Sequence, residues 1–242
     1  MATQPKTLFI ADLHLDSARP ALVDLFADFV REQARDADAL YILGDLFEYW
    51  IGDDQPTTGL EPAIEALQSL RSITPVFFIH GNRDFLIGED FARRTGMGLL
   101  PDSVIVDVYE QPVLLLHGDT LCTDDVNYQQ LRAMLRDEQW QAEFLALPLE
   151  ERIAQALALR EKSMTETGAK DEAIMDVNPA AVEAALRQHH CALMIHGHTH
   201  RPAIHDFQLD GQPARRAVLG DWYRRGSVLT ATPESLELTT FG

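Results

Sequence analysis

Strand and helix signals alternate through the first hundred residues of this chain, and that alternation confines it to the α/β class. Residues 7–11 (TLFIA) form a short apolar run of the kind buried on both faces of a sheet. Apolar residues then recur at helical spacing over 20–35, at Leu22, Leu25, Phe26, Phe29 and Val30. Residues 39–43 read as a second strand, 61–71 as a second helix, 76–79 as a third strand and 88–94 as a further helix. Repeated strand–helix–strand units predict a largely parallel sheet, because consecutive parallel strands need a crossover and a helix supplies it. Two more strand-like runs, 104–109 and 113–116, are separated by a break at Pro112. From about Asp125 to His190 the strand signals stop. That stretch is helix-rich, with Pro148 and Gly168 as breaks and Pro179 suited to a helix start. Strand signals return at 192–195, 204–209, 214–219, 227–231 and 236–240. The expected division is a core over 1–124 and 191–242, interrupted by a helical insertion, or lid, over 125–190.

The charge balance narrows the function classes. Among 242 residues, 20 Lys+Arg stand against 38 Asp+Glu, a formal net charge of −18. That acidity argues against a broad footprint on nucleic acid, which needs a basic face. It argues equally against plain electrostatic adhesion to an anionic membrane. No apolar run reaches the roughly 20 residues that span a bilayer, and residues 1–6 carry no signal-peptide core. Two cysteines, Cys122 and Cys191, are too few for a disulfide framework, so a reducing, cytoplasmic setting is expected.

Polar residues cluster just after the strands. Asp12-Leu13-His14 follows the first, Gly44-Asp45 the second and Gly81-Asn82-Arg83-Asp84 the third. His117-Gly118-Asp119 and His196-Gly197-His198-Thr199-His200 follow two later ones. Ligands of α/β sheets bind beyond the carboxyl ends of strands, so the five segments can converge on one crevice. The i, i+2 spacing of Asp12/His14 and His198/His200 lets each pair face one side of an extended segment, which points His196 away. Taken singly, Asp12, Asp45, Asn82 or Asp84 reads as a cap or turn residue; the ordered set is what points to chemistry. It offers two carboxylates, one amide and four imidazoles, with no thiolate, which suits Mn²⁺, Fe²⁺ or Zn²⁺. Seven ligands are too many for one metal with an open position. They fit two metals sharing a carboxylate, a pair that lowers the pKa of water and clamps a phosphoryl group.

In this order the motifs D-x-H, G-D, G-N-x-D, H-G-D and G-H-T-H resemble those of the calcineurin-like metallophosphoesterases, over essentially the whole chain. The resemblance implies a four-layer α/β/β/α sandwich. It implies one metal held by Asp12, His14, Asp45 and His200, and a second by Asp45, Asn82, His117 and His198. Most of that superfamily has a histidine after the asparagine; this chain has Arg83. With residues 10–15 (IADLHL), 44–50 (GDLFEYW), 117–125 (HGDTLCTDD), 173–178 (AIMDVN) and 198–202 (HTHRP), it resembles the branch that hydrolyses UDP-2,3-diacylglucosamine in lipid A synthesis. By resemblance the cofactor is Mn²⁺, two per subunit, and the enzyme works peripherally at the cytoplasmic face of the inner membrane. Catalytic roles then fall to Asp45, Asn82, Arg83 and His117, and substrate contacts to Asn82, Arg83, His198, Asp125, Ser163, Thr167 and Lys170. Two other readings stand beside this one: a phosphoesterase of the same superfamily acting on nucleotides or phosphoproteins, and a non-catalytic scaffold that kept the fold.

An arginine beside two metals suits a pyrophosphate, because its planar fork holds phosphate oxygens bidentately and stays charged. It is a poor proton donor, and a phosphate leaving group needs little protonation. The bland reading is that Arg83 pairs with Asp84. Two acyl chains need an apolar groove, for which Trp140, Phe144, Leu145, Leu147, Leu149, Ile153 and Leu157 are candidates; residues at such spacing also serve as helix core. Arg215, Arg216, Arg224 and Arg225 form small basic clusters that suit either a solvated face or a membrane-facing patch.

Overall fold

The computed structural model describes residues 4–168 and 176–242, and side chains outside 160–175. The first half runs β1 (Thr7–Ile10), α1 (Pro20–Glu32), β2 (Ala39–Ile42), α2 (Glu61–Leu70), β3 (Val76–Phe78), α3 (Glu89–Thr95) and β4 (Gly98–Leu99). A hairpin, β5 (Ser103–Val108) and β6 (Gln111–Leu116), precedes the helices α4 (Val126–Leu135), α5 (Glu138–Leu145), α6 (Leu149–Gly168) and α7 (Pro179–His189). The chain closes with β7 (Leu193–His196), β8 (Ala203–Leu209), β9 (Gln212–Val218), β10 (Gly226–Ala231) and β11 (Leu236–Phe241).

The strands form two sheets. The first has the order β11-β10-β1-β2-β3-β4, parallel from β1 to β4 and antiparallel at β10 and β11. The second has the order β5-β6-β7-β9-β8, with β6, β7 and β9 parallel between antiparallel edges. Strand alternation splits the apolar run of β1 between two cores. Leu8 and Ile10 pack with Phe26, Val30, Ile64 and Leu67 of α1 and α2, while Phe9 packs between the sheets with Tyr41, Leu115, Ile195 and Leu229. The outer face of the second sheet, at Leu114, Leu116 and Met194, is covered by Val182 and Leu186 of α7. The result is the α/β/β/α sandwich expected from the sequence.

One local reading changes. Pro112 is not the break between β5 and β6: it lies inside β6, opposite Asp107. The turn is Tyr109-Glu110, both at positive φ (53° and 68°), as a two-residue hairpin of matching twist requires. Pairing of β6 with β7 begins only at Val113, so the missing N–H of Pro112 costs no ladder bond there. β4, two residues long, is too short to give a period. Helix α7 falls within the expected 125–190 insertion and packs as the outer layer of the sandwich. Its start is as anticipated: Pro179 is the first helical residue and the Asn178 side chain accepts from the amides of Ala180 and Ala181.

Candidate active site

All five motif segments leave the carboxyl ends of their strands and meet. After β1 the chain runs beside the segment after β2, with the Asp12 amide donating to Gly44 O at 3.0 Å and the His14 amide to Asp45 O at 2.9 Å. The members of each D-x-H and H-x-H pair do converge, but not by extended alternation. Asp12, His14, Asp45, His198 and His200 all adopt left-handed backbone, with φ of 56°, 52°, 54°, 70° and 54°. Such conformations are costly for non-glycine residues and collect where a site must be shaped. Close approach is made possible by missing side chains. A Cβ at Gly81 would lie 2.1 Å from Asp45 Oδ1, and one at Gly44 (φ +89°) 2.6 Å from His117 Nδ1.

The converged donors form two lobes. In one, His14 Nε2 and His200 Nε2 are 3.3 Å apart, with Asp12 Oδ1 3.4 Å from His200 Nε2. In the other, Asn82 Oδ1 lies 3.0 Å from His117 Nε2 and 2.9 Å from His198 Nδ1, and those nitrogens are 3.2 Å apart. Asp45 Oδ2 stands between the lobes, 3.8 Å from His14 Nε2 and from His117 Nε2 alike. Two imidazole nitrogens facing each other at such distances, beside buried carboxylates, make sense around a shared cation. Asp12 Oδ1 is buried and lacks an aligned donor. Asp12, His14 and His200, and Asp12, Asp45 and His117, each bring one ligand atom within a common 4.8 Å. The residues therefore fit divalent cations.

Surrounding groups fix the ligands. His117 Nδ1 donates to Leu43 O at 2.8 Å, which leaves its Nε2 lone pair facing the cluster. Glu48 Oε2 is 3.2 Å from His14 Nδ1 and sets a negative charge beside that ring, without the alignment of a hydrogen bond. Burial, reinforced by the charge of His117, pushes His198 down to about 4, so its imidazole is neutral at pH 7 as a ligand must be. Asp84 does not pair with Arg83. Its carboxylate accepts from the amides of Gly81, Asp45, Leu46 and Phe47, tying the β2 and β3 loops together. Burial and the neighbouring Asp45 push Asp84 up to about 7. His196 stays out of the cluster, fully buried with Nδ1 donating to Gly197 O.

Beside Asn82 and Arg83 opens a cavity of about 380 Å³. Its walls are Trp50, Phe85, Trp140, Phe144, Ile153 and Leu157, with Asp119, Tyr128, Arg132 and Arg136 toward the cluster. Phe144 is buried, and Trp140, Leu147 and Leu149 pack on the core. Leu145, Ile153 and Leu157 are 40–53% exposed, so only part of the apolar lid set is helix core. Asp119 joins lid to cluster: it accepts from Arg132 Nε at 2.6 Å and from the Tyr128 hydroxyl at 2.9 Å. Its carboxyl is held well below the usual range, because His117, His198 and Arg132 outweigh the cost of burial. Arg152, 3% exposed, donates to Ile51 O and Leu147 O and pairs with Asp54, latching α6 to the loop after β2.

The calcineurin-like phosphoesterase family pattern matches residues 5–202. The chain belongs to that family. It is similar throughout to proteins named UDP-2,3-diacylglucosamine hydrolase. One from Stenotrophomonas maltophilia is 54% identical over 97% of this chain and 98% of its own length. One from Aeromonas salmonicida is 54% identical, over 94% and 90%. One from Xanthomonas campestris is 51% identical, over 96% and 97%. All seven residues named from the sequence lie together in the two-lobed cluster.

Outside the cluster the expectations fare unevenly. Arg83 lines the cavity. Asp125 caps α4, accepting from the Tyr128 amide at 3.1 Å. The side chains of Ser163 and Thr167, and Lys170 as a whole, lie outside the described residues. The basic clusters do not form one patch: Arg215 and Arg216 are consecutive on β9 and so face opposite sides, and Arg215 pairs with Asp206. Sequence reasoning missed Glu48, Asp119, Tyr128 and Arg152. Glu48 and Asp119 sat inside quoted motifs without a role; Tyr128 and Arg152 carry no signal short of the fold.

Proposed function

We propose that this phosphoesterase hydrolyses the pyrophosphate bond of UDP-2,3-diacylglucosamine, releasing UMP and 2,3-diacylglucosamine 1-phosphate, a step of lipid A synthesis. One observation carries the reading: Asn82 and Arg83 border both the donor cluster and an apolar groove. A substrate that joins a diphosphate to acyl chains needs that junction. A phosphatase of small nucleotides or phosphoproteins would have no use for the groove, and a scaffold would have no use for seven converged donors.

The cofactor in this reading is a pair of Mn²⁺ ions, one beside Asp12, His14, Asp45 and His200, the other beside Asp45, Asn82, His117 and His198. Bound there, they supply an activated water and offset charge growing on the phosphoryl oxygens. The chain's own residues do the rest. Asp45 ties the lobes together. Arg83 takes a phosphate oxygen with its fixed fork and stays charged as the leaving phosphate gains charge. Its Nε, buried and unpartnered, is available for that contact. Asn82 and His198 touch the phosphoryl group from their own lobe, beside Arg83, and Asp125, Ser163, Thr167 and Lys170 serve the sugar and its phosphate. The lid consists of α4, α5 and α6, with α7 belonging to the core. Acyl chains reach the groove from the cytoplasmic face of the inner membrane, to which the protein attaches peripherally. Among the described residues no helix is long and apolar enough to cross a membrane.

Hydrolysis of UDP-2,3-diacylglucosamine with Mn²⁺, comparing wild type with Asp45→Ala, tests the reading. The variant should fold and lose at least about 10³-fold in turnover, the scale of removing a group that acts as part of a unit. Substantial metal-dependent turnover by Asp45→Ala rejects it.

A further inference from the structure

A diphosphate at the cluster has two ends, and the groove beside Asn82 and Arg83 receives the apolar one. The other side of the cluster is the His14–His200 lobe. There Tyr223 lies parallel to the His14 imidazole, with centroids 5.2 Å apart and planes 10° apart. It meets His200 edge-on at 5.6 Å. The Arg19 guanidinium stands over the Tyr223 ring, 5.2 Å from its centroid, and donates to the His14 carbonyl. Glu48 Oε2 lies 3.7 Å from Arg19 Nη2.

These side chains are positioned without being consumed by the core. Trp222 is wholly buried, its amide donating to Asp12 O at 3.1 Å and its indole N–H to Ser227 O at 3.0 Å. That anchor fixes the turn and leaves Tyr223 49% exposed. Part of the ring packs on His14, His200 and Arg19, and the part left in solvent offers a nucleobase a surface on which to stack. Arg19 is held by three contacts yet keeps a third of its side chain accessible, so it can donate to an anion at small ordering cost. Arg224 and Arg225 continue the same exposed turn and add positive charge on this side of an acidic protein.

We propose that Tyr223 and Arg19 form the subsite for the nucleoside monophosphate end of the substrate, the pyrimidine packing on the exposed part of the Tyr223 ring and Arg19 donating to its phosphate. The inference rests on the pyrophosphate substrate proposed above. It also gives Arg224 and Arg225 a task other than facing a membrane: drawing a nucleotide toward its end of the site.

The test uses the intact, Mn²⁺-loaded protein with UMP as probe, read by calorimetry. Tyr223→Ala and Arg19→Ala should each weaken UMP about tenfold, the scale of one lost base stack or charge-assisted hydrogen bond. Tyr223→Phe, which keeps the ring, should stay within about threefold. Binding of 2,3-diacylglucosamine 1-phosphate should not change in any variant, nor binding of inorganic phosphate in Tyr223→Ala. In turnover the loss should appear in KM, with kcat changing far less. Unchanged UMP affinity in both alanine variants overturns the proposal. So does equal weakening of the lipid product or, in Tyr223→Ala, of phosphate, since Tyr223 would then only be shaping His14. Wild-type turnover is the separate check on the substrate: a protein that binds UMP through Tyr223 but does not cleave UDP-2,3-diacylglucosamine keeps the subsite and loses the substrate.

Discussion

Around Asp45 the loops that carry Asp12, His14, Asp45 and His117 are pinned to their neighbours by backbone hydrogen bonds, with carboxylates tying in the rest; around Leu157 the lid is held to the core by a few side chains. Asp12 and His14 pair through their amides with Gly44 and Asp45, and Asp84 gathers four more amides beneath them. The lid is fastened instead by Arg132 on Asp119 and Asp102, by Arg136 on the His80 and Gly81 carbonyls, and by Arg152 on Asp54 and Ile51. The difference separates two tasks. A cluster that must hold cations at fixed spacing needs a backbone that cannot shift. A wall that must admit acyl chains needs attachment that can open, at the low-stability end of the molecule.

Changes at the two ends should therefore be felt differently. After the loss already expected for Asp45→Ala, the next largest effect is expected where the regions meet. Arg83→Ala should lower kcat/KM on UDP-2,3-diacylglucosamine about 10²-fold, as for loss of one charge-stabilising donor. Its Mn²⁺ affinity by calorimetry should be unchanged, and a parallel loss of metal would place Arg83 in the cluster's framework instead.

At the pinned end the readout is stability. Asp84→Asn leaves fewer acceptor sites for four amides and should cost about 1–3 kcal/mol in urea unfolding. It should also change the pH dependence of the metal-free protein. Asp84 is pushed up to about 7 in the fold, against about 4 in an unfolded chain. Between those values the native state holds a proton that the unfolded state has released, so this group's contribution falls as pH rises. Asp84→Asn should flatten that fall; a slope identical to wild type would remove Asp84 as its source.

At the loosely fastened end, Arg152→Ala should weaken the lid by about 2 kcal/mol, since two buried carbonyls lose a charged donor while exposed Asp54 rehydrates. Faster amide exchange confined to α5 and α6, with metal affinity intact, is the expected pattern; exchange spreading to β1 and β2 would mean the latch supports the core. The smallest effect belongs to Leu157→Ser, which should raise KM about threefold for a long-chain substrate through lost apolar contact. A short-chain substrate should show no difference, and equal effects on both would take Leu157 out of the acyl wall.

How much of this was legible in the sequence follows the same divide. Asp12, Asp45, Asn82, His117 and His198 follow strands, and their residue types pointed to a two-metal site, while the order of the motifs carried the resemblance to the phosphoesterases. The left-handed backbone that aims five of the seven ligands was not legible, because Asp and His favour φ near +55° more than most residues do but still adopt it rarely. Pro112 misled as a break because a proline is harmless at a strand start that has no neighbour on one side. Within the 125–190 stretch, α7 has an amphipathic pattern like that of the helices before it, and only its packing on Leu114, Leu116 and Met194 of the second sheet shows where its apolar face goes.

By itself, then, the sequence determined the α/β class, the order of the ligands and the arginine that replaces the usual histidine, since these depend on residue type and short spacing. Tertiary structure decided which residues surround those ligands and what stands on either side of them. Glu48 reaches His14, Asp119 joins Tyr128 and Arg132, and Tyr223 stacks on His14 only after loops far apart in sequence have met. Such contacts are made by long-range packing, which leaves no period and no spacing in the chain to read.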